Sequence, residues 1–147
     1  MKATVSTKLF LKQLPKDIKK NFAIDMKREI ADVIAAKIIS GKSPVAGHGE
    51  FEEYSDSYEK KKGRKAPVDI LVTGKMLDSL TVKQNTKGDL IIFFKSKIAK
   101  YHSDKRSARK LRRLLPTTRE TFEKGIWRKI LSILKKAVKI GVAKQNR

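Results

Sequence analysis

Apolar residues recur at helical spacing near both ends of the chain, and this pattern constrains the fold more than any other feature. Over residues 16–39 it predicts a long helix whose buried stripe is Ile18, Phe22, Met26, Ile30, Val33 and Ile34. After Thr117 or Thr118 it predicts a final helix, with Glu120 and Thr117 as a capping box. The stripe of that helix is Phe122, Ile126, Ile130, Ile133, Leu134 and Ala137. Its solvent-facing side is Lys124, Arg128, Lys129, Lys135, Lys136 and Lys139. Both stripes need other elements to cover them.

The middle of the chain supplies those elements. Residues 68–72 predict a short strand or an extended stretch. Thr73 can cap a helix through Leu80, and residues 97–102 predict a short helix. Residues 81–85 and 89–95 predict a β-hairpin whose second strand is apolar on both faces, so we expect that strand to be central or covered by helices. The sequence therefore predicts a single α+β domain over residues 1–147, a small, mostly antiparallel sheet flanked by a long N-terminal and a long C-terminal helix.

Two segments fit this core less well. Residues 1–14 predict a short strand or an extended arm. Gly41 ends the first helix, and residues 41–67 predict a long irregular loop with one or two helical turns near Phe51 to Lys61. Loops of this length are usually functional, so we expect a partner to order it.

Charge narrows the range of partners. The chain carries 36 Lys and Arg against 15 Asp and Glu, a net charge of +21. Residues 101–147 hold 15 basic and 3 acidic residues. Such a surface attracts nucleic acid, acidic proteins or complementary faces of neighbouring subunits.

Two basic clusters are the candidate sites for contact with DNA or with a neighbouring subunit. The first cluster comprises Lys105, Arg106, Arg109, Lys110, Arg112 and Arg113, which are six cations in nine residues. The second comprises Lys60, Lys61, Lys62, Arg64 and Lys65. Because the first run lies outside the apolar pattern, we expect that replacing Arg109, Arg112 and Arg113 with Glu leaves the fold intact.

No catalytic, metal or cofactor site is expected. Gly41-Lys42-Ser43 lacks the earlier glycine of a phosphate-binding loop, because Ala36 stands there, and it follows a helix instead of a strand. His48 and His102 lie far apart without metal-binding context, and Asp69 with Asp78 is a weak candidate magnesium pair.

The compartment can be inferred from what the sequence lacks. Cysteine is absent, which suits a reducing cytoplasm. We expect no secretory signal and no membrane span, because neither an uninterrupted apolar N-terminal region nor a run of about 18 apolar residues occurs.

A resemblance emerges from several pieces in a fixed order. They are Ser40 to Val45, Phe51 to Tyr58 (FEEYSDSY), the lysine-rich stretch Lys60 to Lys65, Val68 to Leu80 (VDILVTGKMLDSL), Tyr101-His102 and Arg113 to Pro116 (RLLP). Over residues 38–122 the chain resembles the tail-completion, neck and virion-morphogenesis proteins of tailed bacteriophages, which often contain YSxSY and LTGxMLxSL segments. It departs from many of them at Ser103 to Arg106, where those proteins have a glycine.

The resemblance implies a non-enzymatic structural subunit of the virion, made in the host cytoplasm and placed at the head–tail junction. It also implies a homo-oligomeric ring around the DNA channel, contacting portal, connector or tail-tube proteins and, without sequence specificity, phage DNA. Neither a small-molecule substrate nor a membrane is expected.

The alternative is a free, basic nucleic-acid-binding protein of nucleoid or ribosomal type, for which net charge is the argument. Phe93, Phe94 and Trp127 are expected in the core, which argues against single-strand binding by exposed aromatic rings. A metal-dependent nuclease is a third hypothesis.

Overall fold

The computed structural model describes residues 5–9, 24–63, 74–86, 89–103 and 112–145. Its elements are β1 (Val5–Leu9), α1 (Ile24–Ile39), α2 (Asp56–Lys62), α3 (Lys75–Asp78), β2 (Leu80–Gln84), β3 (Leu90–Phe94), α4 (Ile98–Ser103) and α5 (Lys124–Gln145). The described part combines helices with an antiparallel sheet, so the predicted α+β class is confirmed. None of the described helices combines the length and apolar character needed to cross a membrane.

The sheet has three strands in the order β1-β3-β2, and both pairs are antiparallel. The predicted hairpin is confirmed, with Val82 opposite Ile92, and β3 is central as its apolar sequence required. Leu90, Ile92 and Phe94 are fully buried on one face of β3. The other face is half-buried, so the helices cover the sheet on one side.

The N-terminal segment contributes to this sheet. Residues 5–9 form the edge strand β1, with Val5 opposite Phe94. Of the two predictions for residues 1–14, a strand is therefore correct for these five residues. The rest of that segment lies outside the described residues.

Helices α1 and α5 pack against each other, and α1 also packs against β2. Ile30, Ile34 and Ile130 are fully buried at these contacts, and each such side chain contributes about 1.5 to 3 kcal/mol of hydrophobic stabilisation. Most of both predicted stripes is therefore confirmed: Met26 and Val33 are half-buried, and Ile126, Ile133 and Leu134 are buried. Ile18, Phe22 and the side chains of Ala137 and Lys139 lie outside the described part.

Helix α1 ends at Ile39, as predicted from Gly41. The backbone N–H of Gly41 donates to the Ile38 carbonyl at 3.0 Å, and Gly41 has a φ of 80°. A residue with a Cβ atom adopts this left-handed conformation only at a cost, so glycine suits the position.

The predicted start of the last helix is wrong. The Glu120 carboxylate does accept from the backbone N–H of Thr117 at 2.9 Å, but this contact closes a turn and not a helix. Helix α5 begins at Lys124, where the Glu123 carboxylate accepts from the backbone N–H of Gly125 at 3.0 Å. Phe122 is buried as predicted, but it precedes the helix.

The predicted helix through Leu80 is also too long. Helix α3 ends at Asp78, and Leu80 is the first residue of β2. The Ser79 hydroxyl donates to the Met76 carbonyl at 2.6 Å and accepts from the backbone N–H of Ser96 at 3.1 Å, which turns the chain into the strand. Thr73 and residues 68–72 lie outside the described residues.

Residues 41–63 pack on the core of the single chain. The backbone N–H of Ala46 donates to the Thr121 carbonyl at 2.9 Å, and Phe51 and Tyr54 are buried. Residues 41–55 therefore have buried contacts of their own, and the ordering of this loop by a partner stays a prediction. The predicted helical turns are α2, and residues 64–67 lie outside the described part.

Candidate functional site

The two predicted basic clusters are described only in part. Lys60, Lys61 and Lys62 form the last turn of α2, where the first two are exposed and the third is half-buried. Arg64, Lys65, Lys105, Arg106, Arg109 and Lys110 lie outside the described residues. Of the run 105–113, Arg112 and Arg113 are described, and both have contacts within the chain.

Arg112 packs against the segment that precedes α2. Its Nη2 donates to the Glu52 carbonyl at 3.3 Å, and its guanidinium carbon lies 5.6 Å from the centre of the Tyr54 ring. Its backbone N–H donates to the His102 carbonyl at 2.7 Å. Burial lowers the pKa of Arg112 from its ordinary value, and the nearby Tyr54 and Glu52 partly offset this effect. The guanidinium group therefore binds within the chain.

Arg113 faces a carboxylate. Its Nε lies 3.1 Å from Glu120 Oε1, and its Nη1 donates to the Ser103 carbonyl at 3.1 Å. The side chains of Arg113 and Glu120 are each 20% exposed. His48 Nε2 lies 3.1 Å from the same Glu120 oxygen. One carboxylate thus joins the 41–55 segment to the turn that precedes α5.

The surroundings of the Glu120 carboxyl group act on its pKa in opposite directions. Burial raises its pKa, but hydrogen bonds from Thr117 and His48 and the charge of Arg113 outweigh burial and lower it from the ordinary value. The carboxylate form is therefore the one that these contacts stabilise.

His102 lies at the base of the same group of residues. Burial lowers its pKa to about 4, and the positive charge of Arg112 acts in the same direction. At neutral pH the imidazole is therefore uncharged. The neighbouring Tyr101 side chain points outward and is 61% exposed.

We call Tyr54, His102, Arg112, Arg113 and Glu120 the junction cluster. That the run 105–113 faces an anion outside the chain stays a prediction, but its last two arginines have partners within the chain, at Glu52, Tyr54, Ser103 and Glu120. The cause is physical: a half-buried guanidinium group needs acceptors and anions nearby, and this segment supplies them. The junction cluster holds segments together.

Neighbouring residues likewise serve the fold. The Ser43 hydroxyl, in the segment that resembles part of a phosphate-binding loop, donates to the Arg113 carbonyl at 2.7 Å and accepts from the backbone N–H of Val45 at 3.1 Å. In the described part of the chain no group of three His, Cys, Asp or Glu side chains could hold a metal ion. Asp69, of the weak magnesium pair, lies outside that part.

A groove of about 670 Å³ runs between α1 and β2. Ala31, Ala35 and Val82 line it, and Lys27 and Lys83 are among its charged residues. Asp32, Asp78 and Thr81 also line the groove, so its lining carries both signs of charge.

A second surface is formed by cations that do face solvent. We call it the α5 basic face, and it comprises Lys124, Arg128, Lys129, Lys135 and Lys136, all exposed as the sequence predicted. Trp127 lies beside it and is 38% exposed. The expectation that Trp127 is a core residue is therefore wrong, because its position on the helix falls at the edge of the buried stripe. Phe94 is fully buried as expected, and Phe93 is half-buried.

The junction cluster was not predicted from the sequence. Tyr54 lies 48 positions before His102, so no local pattern links it to the other members. One signal was available: residues 50–59 hold five of the chain's 15 acidic residues, which is a natural counterpart for a basic run.

Comparison of the chain with protein-family models, with curated proteins and with solved structures finds no match.

Proposed function

We propose that the chain is a non-enzymatic structural subunit of a tailed-phage virion, a neck or tail-completion protein that assembles into a ring around the DNA channel. In this role it acts through its surfaces: one contacts neighbouring subunits, another faces portal, connector or tail proteins, and a basic surface tolerates or binds the DNA that passes by.

The observation that carries this proposal is the meeting of the motif pieces in the fold. Tyr54 belongs to the FEEYSDSY piece, His102 to the tyrosine–histidine pair, and Arg113 begins the RLLP piece. Arg112 contacts the Tyr54 ring and the His102 carbonyl, while Arg113 binds the Ser103 carbonyl. A shared fold would require these pieces to lie together, so their contact is consistent with the resemblance and supports the proposal.

Exposed apolar side chains support the assembly part of the proposal. Ile98 and Tyr101 lie three residues apart on α4, which places them on one face of the helix. They are 50% and 61% exposed. Large apolar side chains left in water are common anchors of protein interfaces. In a ring each subunit repeats such a contact, so a modest interface gives a closed assembly.

One observation favours the second candidate function, a free nucleic-acid-binding protein. The α5 basic face is exposed on the single chain and needs no ring to be formed. The two functions differ in where the protein accumulates, in the virion or in the cell.

The test has two parts. Purified protein is followed by native mass spectrometry and negative-stain electron microscopy over rising concentration, and purified virions from the source phage are subjected to a quantitative protein inventory. We expect closed rings and a small fixed copy number, on the order of one ring per particle. A chain that stays monomeric and is missing from virions, though abundant in infected cells, would contradict the proposal.

A further inference from the structure

Helix α5 presents its cations in an ordered array. With 3.6 residues per turn, Lys124, Arg128 and Lys135 form one row, and Lys129 with Lys136 forms a second row nearly a third of a turn away. At 1.5 Å per residue, the array from Lys124 to Lys136 is about 18 Å long. The cations thus form a rod-shaped surface.

The array has no counter-charge of its own. The sequence of α5 contains no acidic residue, and no ion pair joins these five cations to a carboxylate in the described part of the chain. Like charges one turn apart on a helix repel each other by a few tenths of a kcal/mol. A polyanion alongside α5 would replace this repulsion by attraction.

The array is also rigid. Ile126, Ile130 and Ile133 on the opposite side of the helix are buried in the core. The helix therefore cannot rotate or unwind without losing these contacts. Cations fixed on a packed helix bind a regular array of anions with little loss of conformational entropy.

The charge and length of the array suit the backbone of a nucleic acid. Four of its five cations are lysines, which bind phosphates as flexible point charges. Duplex DNA carries one charge per about 1.7 Å of axis with both strands counted, so an 18 Å length of duplex holds about ten phosphates, of which those on the near side face the array.

We propose that the α5 basic face binds the phosphate backbone of duplex DNA, without base readout, and that the single folded chain does so. The site lies on a different element from the basic run 105–113. It does not rest on ring formation, so it holds whether or not the chain is a virion subunit.

The chain supplies its own reporter for the test. Trp127 is the one tryptophan of the sequence and stands 38% exposed at the border of the array. Its fluorescence is followed while a duplex of about 30 base pairs and random sequence is added at several salt concentrations. Polyglutamate, at equal charge concentration, is titrated in parallel as a model of an acidic protein.

Two variants of equal charge are compared with the unaltered chain. The test variant is Lys124→Gln, Arg128→Gln and Lys135→Gln. The control variant is Lys75→Gln, Lys97→Gln and Lys100→Gln, which removes three exposed cations from other parts of the surface. Exposed glutamine is a good helix residue, so both should unfold at the same urea concentration as the parent.

We expect the test variant to bind duplex DNA more weakly, with the slope of log K against log salt reduced by about 0.9 per lost phosphate contact. The control variant should keep the parental slope. Equal losses in both variants, or no loss in either, would overturn the proposal, because binding would then reflect net charge or another surface. Polyglutamate that binds as tightly as the duplex, and loses as much in the test variant, would also overturn it in favour of an acidic protein partner.

Discussion

The guanidinium group of Arg112 lies 5.6 Å from the centre of the Tyr54 ring, although the two residues are 58 positions apart in the sequence. The last two residues of the basic run 105–113, Arg112 and Arg113, therefore contact other parts of the chain. Arg112 and Arg113 join helix α4, the segment before α2 and the turn before α5. Their charges serve the fold, and the solvent-facing cations of α5 are left for interactions with other molecules.

Arg113 gives the first prediction. Arg113→Glu places a second carboxylate where the Nε now lies 3.1 Å from Glu120 Oε1, and it removes the donor to the Ser103 carbonyl. Because both side chains are largely buried, we expect the free energy of unfolding to fall by about 1 to 3 kcal/mol. Urea unfolding followed by circular dichroism measures the change.

Arg128→Glu is the matched control for that measurement. Arg128 is exposed on α5, so the same charge reversal should change stability by no more than about 0.5 kcal/mol. Equal effects of the two substitutions would show that the Arg113 contacts contribute nothing beyond net charge. The apolar pattern of the sequence predicts that glutamates at Arg112 and Arg113 leave the fold intact. The contacts of the two arginines in the structure predict instead that these substitutions destabilise it.

His102 predicts how stability depends on pH. Burial, assisted by Arg112, lowers its pKa in the folded chain to about 4, against 6.5 for an ordinary histidine. Below pH 6.5 the unfolded chain binds a proton at this imidazole before the folded chain does. The stability that depends on neutral His102 is therefore complete above pH 6.5 and is lost as the pH falls from 6.5 towards 4.

The measurement is urea unfolding at a series of pH values between 4 and 7, for the parent and for His102→Gln. We expect the variant to lose less stability across this window, since its side chain does not titrate. Nuclear magnetic resonance titration of the two histidines gives an independent check. A His102 midpoint near 6.5 in the folded protein would refute the account.

Local patterns were enough to predict several elements. The alternating and apolar residues of 81–95 gave the hairpin, and the apolar content of β3 gave its central place, because a strand that is apolar on both faces has to be flanked. Ile30 and Ile34 on one helix, and Ile126 and Ile130 on the other, were found from spacing alone. In each case the residues that decide the structure are close together in the chain.

The remaining features depend on contacts that spacing does not reveal. The hydrogen bond between Thr117 and Glu120 that a capping box requires is present. However, Glu120 also binds Arg113, and helix α5 begins only at Lys124. Leu80 continues the apolar pattern of the preceding helix, but it is the first residue of β2. The backbone N–H of Ser96 donates to the Ser79 hydroxyl at the point where the chain leaves the helix. Trp127 has an apolar side chain, but that side chain lies at the edge of the buried stripe of α5 and is 38% exposed.

Ile130 tests the phase of α5. It is fully buried, so Ile130→Asp would place a carboxylate without a partner in the core. We expect this substitution to unfold the protein, because the cost is a large part of the roughly 5 to 15 kcal/mol that holds a typical domain folded. Lys129→Asp, one position earlier and exposed, should fold normally. A cooperative melting transition for Ile130→Asp would mean that the helix buries a different face.

The exposed pair on α4 offers the last prediction, which separates assembly from folding. Ile98 and Tyr101 are 50% and 61% exposed, so the double variant Ile98→Ser and Tyr101→Ser removes little buried surface from the single chain. Its free energy of unfolding should stay within about 0.5 kcal/mol of the parent. If these side chains anchor the contact between subunits, the variant should remain monomeric in native mass spectrometry at concentrations where the parent forms rings.

Ile39→Ser is the control for this experiment, because Ile39 is similarly exposed, at 47%, but lies at the end of α1. Losing it should leave assembly unchanged if α4 provides the anchor. Rings formed equally well by the parent and by the α4 variant would exclude this face as the contact. Assembly lost in the Ile39 variant alone would place the contact at the end of α1 instead, since that variant removes an exposed apolar side chain there and leaves α4 intact.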